Sequence, residues 1–134
     1  MLKKISNIGD CGITCDFGDE VDKKTNKEVI KLFNFIEESV RNKKIKGILN
    51  YTPSYNKLII NFDLGQIKSQ EVIEFIKSND YSKTIFYEKS KLVEIPICYD
   101  EEFALDIKRL EEKTKLNFKE IVSKHLETNF CIFR

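Results

Sequence analysis

The chain has one histidine, five glycines and no Cys-x-x-Cys pair, and its charges nearly cancel. Each shortage removes a class of function. Cys11 and Cys15 lie close together while Cys98 and Cys131 stand apart, so a Cys/His zinc centre would need ligands gathered from scattered strands. No metal site is expected. The few glycines never cluster into G-x-x-x-x-G-K-S/T or G-x-G-x-x-G, and no G-x-S-x-G elbow occurs, which leaves the chain without a phosphate cradle or a serine nucleophile motif. Lysine and arginine total 23 against 22 acidic residues, a formal charge of +1. That balance offers no field to steer the chain to nucleic acid or anionic lipid. Apolar runs are only a few residues long, and Met1-Leu2-Lys3-Lys4 does not lead into a signal-peptide core. A soluble, cytoplasmic protein is expected, with reduced cysteines used as small apolar residues.

What is present is ample material for a core. The chain has 134 residues, 41% of them hydrophobic and 34% charged, the scale of one domain with an appendage. Residues 2–6 and 12–17 read as extended, with the turn signal Gly9-Asp10 between them. Thr25-Asn26-Lys27-Glu28 has the form of a capping box, and Val29, Leu32, Phe33, Ile36 and Val40 follow at helical spacing. The basic run 41–44 suits the carbonyl end of that helix. IKGILNY (45–51) and KLIINFD (57–63) predict a hairpin across Thr52-Pro53-Ser54-Tyr55-Asn56. A second helix begins at Ser69, a good N-cap, and buries Val72, Ile73 and Ile76. A loop over 78–83, an extended piece over 84–89 and a strand over 91–98 complete this part, with Pro96 marking an edge or the strand's end. Strand, helix, strand, strand, helix, strand from residue 12 to 98 is the split βαβ order of an α+β, ferredoxin-like sandwich, an antiparallel sheet with both helices on one face. A parallel doubly wound sheet is excluded by the short 52–56 link.

Beyond Cys98-Tyr99 the period changes from two to 3.6. Phe103, Ile107 and Leu110 form one stripe, and Asp100-Glu101-Glu102 precede it as the acidic opening of a helix. A second short helix follows, with Asn117 as cap, Glu120 at its third position, and Phe118, Ile121, Val122 and Leu126 facing inward. The pair superficially resembles a DNA-binding helix-turn-helix, yet NFKEIVSKHLE carries no basic stripe, so packing is the better role. His125 lies on the apolar stripe beside Ile121 and Val122, where a satisfied, partly buried imidazole is preferred to a catalytic one. Tyr51, Tyr55 and Tyr99 sit at strand ends and can line a groove or cap the core. Tyr55, Tyr99 and His125 are the candidate binding residues; no catalytic residue is assigned.

Three stretches in order carry a resemblance: NIGDCGITCDFGDEVDKKTNKEV, GILNYTPSYNKLIINFD and VEIPICYDEEFALDIKRLEEKTKLNFKEIVSKH. They resemble the N-terminal part of the KipI family, also called allophanate hydrolase subunit 1 and 5-oxoprolinase subunit PxpB, which carries a carboxyltransferase domain. Its early Gly-Asp falls on Gly9-Asp10, its hairpin turn on Pro53-Ser54-Tyr55, and its Ile-Pro-Val-Cys-Tyr strand on Ile95-Pro96-Ile97-Cys98-Tyr99. Its acidic helix start, Thr-x-Leu turn and histidine fall on Glu102-Phe103, Thr114-Lys115-Leu116 and His125. The family's Gly-Gly after Cys-Tyr is Asp100-Glu101 here, and its later Gly-Pro is Ala104-Leu105.

The resemblance implies a ferredoxin-like N-terminal domain over 1–98. Residues 99–134 then form a helix pair and the start of a strand leading to a missing cyclophilin-like domain. The apolar 129–134 end reads as a truncation, either exposed and prone to self-association or folded back as an edge strand. The implied function is part of an ATP-hydrolysing 5-oxoprolinase that opens 5-oxoproline to glutamate, or of a related amidohydrolase. Its implied partners are a PxpC-like and a PxpA-like subunit. The fragment is expected to be inactive alone and to bind no cofactor, ATP belonging to the full complex. The alternatives are a KipI-like inhibitor of a sensor histidine kinase and a non-catalytic protein-binding module.

Overall fold

The computed structural model describes residues 2–84 and 93–128. These fall into two compact units, the first holding 2–84 and the second 93–128. In the first unit, β1 (Lys4–Ile8) and β2 (Gly12–Asp16) precede α1 (Lys23–Arg41), the hairpin strands β3 (Ile48–Pro53) and β4 (Lys57–Phe62), and α2 (Ser69–Ser78). All pairings are antiparallel, in the order β1-β2-β4-β3. Thus β2-α1-β3 is a split βαβ unit with β4 between its strands, and the architecture is the expected α+β sandwich.

Period-two alternation puts Ile13 and Cys15 of β2 and Leu58, Ile60 and Phe62 of β4 on one face of the sheet. There they form a single core with Val29, Leu32 and Ile36 of α1 and Val72 and Ile76 of α2. Both helices therefore cover the same face, and Phe35 and Phe75 stack between them at 5.6 Å. Phe33, Val40 and Ile73 pack against this core while remaining partly exposed.

Four local expectations are corrected. The first concerns the outer strand beside β2. The described residues 93–98 form no strand, and β1 takes that place, pairing Ile5 with Cys15 and Asn7 with Ile13. Closing a hairpin through Gly9 (φ 57°) costs little chain entropy, whereas a strand carrying Pro96 would lack a ladder donor. The second concerns α1, which is capped by Asp22 and not Thr25: the Asp22 carboxylate accepts the Thr25 N–H at 2.7 Å. A carboxylate at this end also meets the positive pole of the helix. Asn26 instead donates to the Ser54 and Tyr55 carbonyls, both at 3.3 Å, and pins the β3–β4 turn. The third concerns β3, which begins at Ile48 because Gly47 adopts φ 80° and its carbonyl accepts from Asp63 N–H at 2.8 Å. Likewise Lys68, not Ser69, caps α2; its N–H donates to Glu71 Oε2 at 2.8 Å. The 84–89 and 129–134 expectations lie largely or wholly outside the described residues.

Burial on β2 makes a chemical prediction. Desolvation pushes the Cys15 thiol from 9.0 up to about 12, leaving about a thousandfold less thiolate near neutral pH. Cys11 and Cys98 are exposed. Under a limiting alkylating reagent at pH 8, Cys11 and Cys98 are expected to label while Cys15 labels only after denaturation. Peptide mass mapping checks this, and prompt labelling of Cys15 in the native protein would contradict the packing.

Candidate apolar cleft of the helix pair

The second unit is built by two short helices, α3 (Ile107–Thr114) and α4 (Phe118–Leu126). Between them Lys115 takes the left-handed conformation at φ 60°, and its N–H closes α3 on Glu111 O at 2.9 Å. Thr114 Oγ1 donates to Leu110 O at 2.7 Å. The start of α4 is the expected capping box: Asn117 Oδ1 accepts from Glu120 N–H at 3.1 Å, and Asn117 N–H donates to Glu120 Oε2 at 2.8 Å.

The acidic triplet behaves differently from its reading. Residues Glu101–Phe103 form a separate 3₁₀ turn, closed by Phe103 N–H on Asp100 O at 3.0 Å, and α3 starts only after Asp106. The Asp100 carboxylate accepts instead from Cys98 Sγ at 3.3 Å. That contact had no sequence signal beyond its two-residue spacing.

Along α3 and α4, apolar side chains at helical spacing turn toward one open cleft of about 540 Å³. Phe103, Ile107, Leu110, Phe118, Ile121 and Val122 line it, as the stripes predicted; Leu105 and Asp106 join them unforeseen. Leu126 does not line it and is 66% exposed. At the cleft, Tyr99 and His125 meet, with Tyr99 Oη 2.6 Å from His125 Nδ1 and the rings edge to face at 5.9 Å. With the imidazole proton on Nε2 the phenol donates to Nδ1; a protonated imidazole reverses that bond. His125 is hydrogen-bonded as expected, but it is exposed and not partly buried.

Tyr55, the third candidate, belongs to the first unit, on the β3–β4 turn, and is 53% exposed. The structure thus joins two of the three predicted residues. The described residues lining the cleft include one carboxylate and no lysine or arginine, a poor match to a nucleotide's phosphates.

The family described as carboxyltransferase domain, subdomain C and D, matches residues 3–134. The chain belongs to that family. Within it, the chain is similar to the 5-oxoprolinase B-subunit of Bacillus subtilis (strain 168), at 21% identity over 141 residues covering 97% of this chain and 57% of that protein. The motif resemblance to the KipI and PxpB family is upheld. The chain thus spans a little over half of this relative. Among solved structures, TTHA0988 shares the fold with a TM-score of 0.67 at 20% identity, over 91% of this chain and 23% of that one. A second crystal form of the same protein gives 0.61 at 19% identity, over 92% and 22%. No helix among the described residues is long and apolar enough to cross a membrane.

Proposed function

We propose that the chain is the N-terminal portion of a subunit of an ATP-dependent 5-oxoprolinase, working only in a complex with partner subunits. The observation that carries this reading is the match to the Bacillus subtilis 5-oxoprolinase B-subunit along 97% of the chain. The ordered motifs from Gly9-Asp10 to His125 support it. In this reading the ferredoxin-like unit and the helix pair precede a cyclophilin-like domain. ATP and 5-oxoproline are handled by the assembled complex, and the partners are PxpC-like and PxpA-like subunits.

The chain alone is expected to release no phosphate above background from ATP with 5-oxoproline, because it offers no phosphate loop. It is also expected to co-elute with at least one partner subunit on size-exclusion chromatography. Turnover by the chain alone would overturn its dependence on partners. Failure to bind either subunit would overturn the subunit reading, and binding to a sensor histidine kinase in its place would favour an inhibitor.

A further inference from the structure

We draw no further inference here: the strongest candidate, the open apolar cleft along α3 and α4, is an unpartnered face on which Lys108 and Lys113 balance Glu111 and the ion-paired Asp106, and nothing in the structure shows what covers it.

Discussion

Replacing Leu32 by alanine is expected to lower the unfolding free energy by about 2–5 kcal/mol. Leu32 has no exposed surface and sits where α1 meets the sheet, among Ile13, Leu58 and Ile60, which are equally buried. The loss combines the transfer of the removed carbons to water with a cavity that the surrounding close-packed side chains fill only in part. Against a total stability of about 5–15 kcal/mol for a domain, this is a large share of what holds the unit folded. Leu49→Ala is the matched control. Its side chain is 68% exposed, so the change should stay within about 0.5 kcal/mol. Urea denaturation followed by circular dichroism measures both. Equal midpoints for the two variants would mean that the α1–sheet core is not where the stability resides.

Gly47→Val is expected to be nearly as damaging, at about 2–4 kcal/mol, for a reason that has nothing to do with lost apolar contact. The residue holds φ 80°, where a β-branched side chain is strained. A Cβ placed there would stand 2.9 Å from both Gln66 Cβ and Ile67 Cγ2. The backbone cannot relax freely, since the Gly47 carbonyl is tied to Asp63 N–H at 2.8 Å. Gly9→Val makes the informative comparison. Gly9 also has a positive φ, 57°, but a Cβ at that position would meet nothing within 4 Å, so only the conformational cost remains. The difference between the two denaturation midpoints therefore isolates the steric part. If Gly9→Val costs as much as Gly47→Val, crowding by Gln66 and Ile67 is not the cause.

The helices of the first unit were legible because their apolar residues repeat at 3.6. Val29, Leu32 and Ile36 could face only one way, and they do. The choice of cap was not legible. Asp22 and Thr25 both have cap-forming side chains one helical turn apart, and only the surrounding chain shows that Asn26 is needed at the hairpin turn. The outer strand failed for a related reason. VEIPI alternates strictly while the two isoleucines of KISNI stand three apart, so pattern alone favours the wrong strand; the short Gly9 turn and the missing Pro96 donor decide the other way. At the candidate site, Tyr99 and His125 were each noticeable but 26 residues apart. Nothing in their spacing announces that they meet, because the meeting depends on the reversal at Lys115, a residue type that rarely takes a left-handed conformation.

The strand order β1-β2-β4-β3 also sets how the first unit assembles in time. Its two outer pairings are hairpins, closed by short turns and able to form on the microsecond scale (about 1–10 μs). The β2–β4 seam is different: it joins Ile13 to Ile60 and Cys15 to Leu58 across the whole of α1 and β3. That seam has by far the largest loop to close, so the search that limits the folding rate is the docking of two preformed hairpins along one line. Conservative truncations at Ile13 and Ile60 should then slow folding, while truncations confined to β1 should mainly hasten unfolding.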